Sequence, residues 1–220
     1  MNGFSFSFAQ TSLVALATGA LWWPEQKLLC VSDLHLGKSE RIARRAGTTL
    51  PPYDSQDTLG RLADDLERTQ ADVVVCLGDS FDDLQAAHTI PKQERLWITS
   101  LQAGRKWIWI EGNHDPGPVE LGGTHLIDLQ IERLIFRHIA RQTARNEISG
   151  HYHPKAHLKT RGQRITRPAF LLDQDRLILP AYGRYTGGLS SQSTVLRYLM
   201  LKDAVAILTG PKALPIPMPR

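Results

Sequence analysis

The chain has 220 residues, 42% of them apolar and 22% charged, with a formal net charge of +4. That balance excludes a disordered or fibrous polypeptide and leaves enough apolar surface for a sizeable core, at a length ordinary for an α/β domain. The two cysteines, Cys30 and Cys76, lie far apart without C-x-x-C spacing, which excludes a disulfide scaffold and reads as core thiols in a reducing cytoplasm.

In chain order, the apolar run from Leu13 to Trp23 contains Thr18 and Gly19 and has no basic residue before it. It is too short to span a membrane and lacks the pattern of a signal peptide, so it reads as early strands. Lys27-Leu28-Leu29-Cys30-Val31 is a buried-strand pattern that runs into Asp33. The spacing of Leu59, Leu62, Ala63 and Leu66 predicts a helix from Asp54 to Arg68. Asp72-Val73-Val74-Val75-Cys76-Leu77 forms a second buried strand, ending at Asp79. A helix from Pro91 to Leu101 follows, with Leu96, Trp97 and Leu101 as its apolar positions. Lys106-Trp107-Ile108-Trp109-Ile110 is a third strand before Asn113, and its alternation assigns both tryptophans to core packing rather than to stacking on bases. Residues 1–210 read as one domain, and 211–220, with four prolines, as an extended tail.

Strands that alternate with helices imply a largely parallel sheet with helices outside it. In such sheets ligands gather at the carboxyl ends of the strands, where this chain places its carboxylates, amide and imidazoles. Four strings carry them in order: Asp33-Leu34-His35, Gly78-Asp79, Gly112-Asn113-His114-Asp115 and Gly150-His151-Tyr152-His153. Any one alone is weak, whereas the ordered set supplies the oxygen and nitrogen ligands of two adjacent metal ions. Calcium favours oxygen ligands alone, so the wealth of imidazole argues for a transition metal, with manganese expected and zinc, iron or magnesium as alternatives. Two ions roughly 3.5–4 Å apart can share one carboxylate and one hydroxide nucleophile. Asp79, alone at the end of the second strand, is the expected shared carboxylate.

These motifs resemble the calcineurin-like metallophosphoesterases, whose series D-x-H, G-D-x-x-D, G-N-H-D/E, a lone His and G-H-x-H is matched from Asp33 to His153. The resemblance implies a four-layer α/β/β/α sandwich with two central mixed sheets. It implies that Asp33, His35, Asp79 and His153 hold one metal, and Asp79, Asn113, His138 and His151 the other. His114 corresponds to the acid-base histidine, and Asp115 to the group that would orient it. Asp33-Leu34-His35-Leu36-Gly37-Lys38, Ser149-Gly150-His151-Tyr152-His153-Pro154 and Tyr185-Thr186-Gly187-Gly188-Leu189 are further similar to the bacterial subfamily of ligase-associated DNA-damage-response endonucleases, PdeM. That narrower resemblance implies cleavage of DNA phosphodiesters and association with a DNA ligase and a helicase.

Several residues have a competing reading. His138 is favoured over His125 as the lone histidine because it follows Leu134-Ile135-Phe136 and so ends a strand, whereas His125 lies by a Gly122-Gly123-Thr124 turn. His157 reads as a surface or phosphate contact and His88 as a solvated histidine. Asp82 is placed to orient a ligand or a water. Asp83 stands where protein serine/threonine phosphatases of the superfamily have Arg-Gly, which counts against a phosphoprotein substrate, and reads as an exposed turn carboxylate. Thr186-Gly187-Gly188 is either an anion-binding concavity or a plain turn. From Arg133 to Arg167 nine Lys or Arg face one acidic residue, Glu147, a local charge suited to a polyanion such as DNA, with Lys155, Lys159, Arg161 and Arg164 as its expected path. The alternatives are a nucleotide phosphomonoesterase or cyclic-nucleotide phosphodiesterase on the same site, or a non-catalytic protein-binding scaffold.

Overall fold

A computed structural model describes residues 2–39, 42, 53–117, 120–160 and 162–220. In the amino-terminal half it contains β1 (Phe4–Phe8), β2 (Thr11–Ala15), β3 (Leu21–Trp23), β4 (Leu28–Val31), α1 (Asp54–Thr69) and β5 (Val73–Leu77). These are followed by α2 (Leu84–Thr89), α3 (Lys92–Gln102), β6 (Lys106–Ile110) and β7 (Thr124–Leu126). Strands β1 to β7 form one sheet in sequence order, antiparallel from β1 to β4 and parallel from β4 to β7. The Leu13–Trp23 run accordingly supplies the end of β2 and all of β3, with a turn at 16–20 between them.

The second sheet is built from β8 (Asp128–Ile131), β9 (Leu134–Arg137), β10 (Glu147–Ser149), β12 (Gln163–Leu172), β13 (Arg176–Ile178), β14 (Val205–Leu208) and β15 (Leu214–Pro217). Its order is β15-β14-β12-β13-β10-β9-β8, and β11 (Lys155–Thr160) pairs with β12. Between named strands of this second sheet, parallel pairing occurs only where β10 meets β9 and β13, among the described residues. The proline-rich end expected as a tail includes an edge strand: Leu214–Pro217 pairs antiparallel with Val205–Leu208, and prolines are admitted there because an edge strand leaves one row of N–H groups unpaired.

Period-two alternation places successive residues of one strand in different layers. Leu29 and Val31, Val74 and Cys76, and Trp107 and Trp109 face α1 and α3, while Leu28 and Cys30, Val75 and Leu77, and Ile108 and Ile110 face the other sheet. There they meet Leu134, Phe136, Ile148, Phe170, Leu177 and Ile207. The far side of the second sheet packs Ala169, Leu171 and Ile178 against Leu196 of α4 (Thr194–Leu199) and the following Met200. The layers are therefore α/β/β/α, with two mixed sheets at the centre.

Helix α1 packs through Leu59, Leu62 and Leu66, each worth about 1.5–3 kcal/mol when fully buried. In α3 the inward residues are Ile98 and Leu101, with Trp97 partly buried, whereas Leu96, expected inward, is 59% exposed. Both cysteines are buried and unpaired, and burial pushes their thiol pKa values up. No described helix is long and apolar enough to cross a membrane.

Candidate metal centre

Five connections, after β4, β5, β6, β9 and β10, bring their polar residues to one end of the two sheets. The first two are zipped together by main-chain hydrogen bonds: Asp33 N–H donates to Gly78 O at 3.2 Å and His35 N–H to Asp79 O at 2.9 Å. Asp33, His35, Asp79, His151 and His153 all have φ between 45° and 70°, a left-handed region costly for residues other than glycine. Such strain, of order 1–3 kcal/mol per residue, persists only where surrounding contacts over-determine it, and it concentrates at functional sites.

Two largely buried clusters result, and a third group, His35, Asp82 and His114, shares His35 with the first. In the first, Asp33, His35 and His153 bring one ligand atom each to within 4.8 Å of one another. Asp33 Oδ1 is 3.1 Å from His153 Nε2, and His35 Nε2 is 3.4 Å from His153 Nε2. In the second, Asp79 Oδ2 is 3.3 Å from His138 Nε2, which lies 3.0 Å from Asn113 Oδ1 and 3.3 Å from His151 Nδ1. The clusters adjoin, since the His151 main-chain N–H donates to Asp33 Oδ2 at 3.0 Å.

The donor chemistry fits cations. His138 Nδ1 lies 3.0 Å from the Leu77 carbonyl oxygen, an acceptor only, so the neutral ring carries its proton on Nδ1 and turns the Nε2 lone pair toward two oxygens and a nitrogen. His35 Nδ1 lies 3.0 Å from Asp82 Oδ1, and its Nε2 is the nitrogen that faces His153. Lone pairs facing lone pairs repel unless a positive charge sits between them. Without a metal a proton serves: burial would lower the His138 pKa, but Asp79 and Asp33 push it up to about 9. Burial also opposes ionisation of Asp33 and Asp79, yet His153 and His138 hold Asp33 below the usual carboxylate range, and His138 and His114 do the same for Asp79. Burial and the neighbouring His138 lower His151.

His114 donates its main-chain N–H to Asp79 Oδ1 at 2.9 Å, and its Nδ1 is 2.8 Å from the Asp82 carbonyl oxygen. Asp115 does not orient that ring. Its Oδ2 accepts the Ser80 and Phe81 N–H groups at 2.8 and 3.1 Å and its Oδ1 that of Gly112 at 3.1 Å, so it ties the Asn113 loop to the Asp79 loop. Burial and the nearby Asp79 raise Asp115 to about 6 despite those donors. Asp82 lies beside two histidines, its carboxylate 3.0 Å from His35 Nδ1 and its carbonyl oxygen 2.8 Å from His114 Nδ1, with Lys38 Nζ 3.7 Å from the same carboxylate.

His125 lies in β7 rather than in a turn, its ring stacked on Trp109 with centroids 6.4 Å apart and away from both clusters. His157 Nδ1 is 2.8 Å from Thr166 Oγ1, and His88 is exposed on α2. Asp83 is a helix cap, its carboxylate accepting the Ala86 N–H at 2.6 Å. Trp22, Trp23, Trp107 and Trp109 are all core. A Cβ on Gly188 (φ +141°) would meet His153 O at 2.1 Å, so glycine at 188 lets the 183–188 loop pack against His153, whereas a Cβ on Gly187 would meet nothing within 4 Å. Sequence reasoning missed Ser32, whose hydroxyl donates to Asp33 Oδ2, although its adjacency to Asp33 was a usable signal.

The basic stretch is less open than its composition. Arg137 is buried between Asp128 at 3.1 Å and Glu147 at 3.4 Å, Arg141 reaches Asp128 at 3.3 Å and Arg145 reaches Asp175 at 3.7 Å. Asp128 and Asp175 lie outside the 133–167 window and fold back on it. Lys155 Nζ donates to the Thr186 carbonyl at 3.3 Å. Arg161 and the side chains of Lys159 and Arg164 lie outside the described residues.

The calcineurin-like phosphoesterase profile matches residues 26–205. No curated protein sequence matches the chain. Among solved structures, a nuclease MPE from Pseudomonas putida is similar at 26% identity and a TM-score of 0.76, covering 97% of this chain and 100% of its own. Yfce, a phosphoesterase from E. coli, is 12% identical with a TM-score of 0.41, over 87% of this chain and 99% of its own.

Proposed function

This chain belongs to the calcineurin-like phosphoesterase family, as a metal-dependent phosphoesterase, and from that premise we propose that it is a nuclease that hydrolyses DNA phosphodiester bonds with two manganese ions. Asp33, His35, Asp79 and His153 would hold one ion, and Asp79, Asn113, His138 and His151 the other. Such a pair, when bound, supplies a nucleophile at neutral pH and offsets charge developing on the phosphoryl oxygens.

The protein's own groups do the rest. Leu77 O fixes which nitrogen of His138 faces inward, as outer partners of ligating histidines do. With Nδ1 of His114 engaged by Asp82 O, its Nε2, 4.0 Å from Asp79 Oδ2, is the atom that moves a proton to the leaving oxygen. Asp115 keeps the Asn113 and Asp79 loops in register.

The observation that carries this reading is the convergence of imidazoles from separate loops on Asp33 and Asp79. The nuclease similarity over 97% of the chain supports a phosphodiester in nucleic acid as substrate. A cytoplasmic setting accords with the two unpaired thiols, and association with a DNA ligase and helicase rests on the subfamily resemblance. The deciding test compares initial rates on a small diester, a monoester and a single-stranded oligonucleotide with manganese, magnesium and zinc in turn. Turnover of the diester and oligonucleotide with manganese is expected; a preference for the monoester would replace the nuclease reading with that of a phosphomonoesterase.

A further inference from the structure

A cavity of about 220 Å³ is lined by Arg61, Lys155, Gly183, Arg184 and Thr186 among others. Its walls are pinned to the loops that carry the metal ligands. Tyr182 N–H donates to Ser32 O at 2.7 Å and Gly183 N–H to Asp33 O at 3.0 Å. A Cβ on Gly183 would meet Leu34 O at 2.1 Å, so glycine is what lets this loop approach the Asp33 loop. On the other side, Lys155 opens β11 two residues after His153, and its N–H donates to Leu189 O at 2.8 Å while Leu189 N–H donates to Tyr152 O at 3.1 Å. The cavity therefore lies at the edge of the metal centre.

Three cationic side chains line it, and no carboxylate does among the described residues. Arg184 is offset by Asp57, 2.9 Å away. Arg61 lies 4.3 Å from the centroid of the Tyr182 ring and donates through a terminal nitrogen to Tyr182 O, while its buried Nε has no hydrogen-bond partner among the described residues. Asp65 sits under the same ring, but burial raises its pKa and so weakens it as a counter-charge. Lys155 pairs with no carboxylate among the described residues; its Nζ donates to the Thr186 carbonyl at 3.3 Å. In this it differs from Arg137, Arg141 and Arg145, which Asp128, Glu147 and Asp175 answer. An ammonium has three donors and a guanidinium five, so donors remain for an anion. At a volume below the roughly 300–1,000 Å³ of small-molecule sites, the cavity suits a compact anion better than a nucleoside.

We propose that this cavity is a phosphate subsite, in which Lys155 and Arg61 hold a non-reacting phosphate of the nucleic-acid backbone whose reacting phosphate lies at the metal centre. The inference rests on the nuclease reading and adds to it an anchoring point off the metals. The main-chain links to Ser32, Asp33 and Tyr152 favour a substrate phosphate over a free ion, because neighbouring phosphates of one backbone can then occupy the cavity and the metal centre together. A free ion gains nothing from that adjacency. Contacts of this kind fix the register of the backbone and carry no sequence information.

Binding, read apart from turnover, tests it. The full-length protein with manganese is titrated by calorimetry with a tetranucleotide whose central linkage is a phosphorothioate and whose flanking linkages are neutral methylphosphonates, then with strands in which one or the other flank is a charged phosphorothioate. One charged flank should tighten binding about 10-fold, the lower end for a hydrogen bond to a charged group, and should steepen the slope of log affinity on log salt by about 0.7–0.9. Lys155→Gln should remove most of that gain, and Lys155→Arg, which keeps the charge, should retain it. Lys155 is the residue to change because Arg61 also braces the Tyr182 carbonyl. Each variant is compared with itself across the strands, so a general loss of folded protein cancels. Equal affinity of the parent for neutral and charged flanks, or a gain that survives Lys155→Gln, overturns the proposal. Lys155-dependent binding of inorganic phosphate without any gain from a charged flank would make the cavity a site for the free ion and overturns it too. Failure of the nuclease reading would show instead as absent diester turnover, whatever the calorimetry gives.

Discussion

A Cβ placed on Gly78 would lie 2.3 Å from His138 Nδ1, so the glycine of the second motif is the floor on which the imidazole of the fourth loop rests. The residue also has φ +77°, which a side chain tolerates poorly. Gly78→Ala is therefore expected to tilt His138 away from Asp79 and to cost roughly 1–3 kcal/mol through overpacking. Metal analysis should find the second ion depleted, together with a lower Tm. Full occupancy at both sites would show that His138 needs no such support.

Asp79→Asn keeps the shape of the side chain and removes its charge. If one carboxylate is shared, both ions should be depleted and hydrolysis nearly abolished, whereas a residue serving one site would deplete one. Metal stoichiometry and diester turnover, measured on the same preparation, separate the two outcomes.

His114→Ala should lower turnover by about 100- to 10,000-fold, the usual contribution of a general acid or base, while both ions remain. Asp115→Ala is expected to act differently, because its carboxylate holds the Ser80, Phe81 and Gly112 N–H groups and not the His114 ring. It should lower Tm and metal content together. A pure rate loss in the Asp115 variant, with metal content and Tm retained, would return it to the orienting role that its place in the motif suggested.

That difference shows where a sequence is legible and where it is not. A polar residue following an apolar run marks a strand end, and this placed Asp33, Asp79, Asn113 and His138 at strand ends, while the motif series and the family resemblance supplied their expected roles. The choice of His138 over His125 came from the same signal, although His125 lies in the edge strand β7 against Trp109 and not in the turn expected of it. What stayed hidden depends on main-chain atoms and distant partners. Carbonyl oxygens of Leu77 and Asp82 select the tautomers of two histidines, yet any residue type offers a carbonyl. The left-handed backbone at five site positions runs against residue preference, since tertiary contacts impose it. Leu96 was misjudged because adjacent apolar residues on a short helix cannot all face inward. The second sheet went largely unread because its strands are short and its pairings distant, and for the same reason Asp128 and Asp175 were not seen to neutralise the basic stretch.

On α1, Asp65 is fully buried beneath Tyr182, its Oδ2 accepting the Tyr182 hydroxyl at 3.0 Å and that of Thr18 at 2.5 Å. Burial raises its pKa although those hydroxyls, Arg68 and Arg61 oppose the shift. A folded-state value above the unfolded one contributes stability that is complete below the unfolded pKa, about 3.9 for Asp, and is lost as pH rises through the folded value. Asp65→Asn, which titrates at neither, should remove that slope. Relative to the variant, the parent's Tm should be highest in acid and fall toward neutral pH; a parent that gains on the variant over that range would mean the ionised carboxylate is the stabilising form.

Ions that bind only the folded chain stabilise it by mass action, by about 2.7 kcal/mol for one site at a ligand concentration 100 times Kd. For a chain of 220 residues that corresponds to on the order of 5–10 °C in Tm. Manganese added to chelator-treated parent should give an increment of this size or more, since two sites fill. In His138→Ala the increment should shrink, because Asp79, Asn113 and His151 lose the imidazole at their centre. His125→Ala removes a ring stacked on Trp109, so its baseline Tm should drop while its increment with manganese stays at the parent's value. The increment, not the baseline, distinguishes a ligand from a packing residue, and an undiminished increment in His138→Ala with a reduced one in His125→Ala would exchange the two assignments.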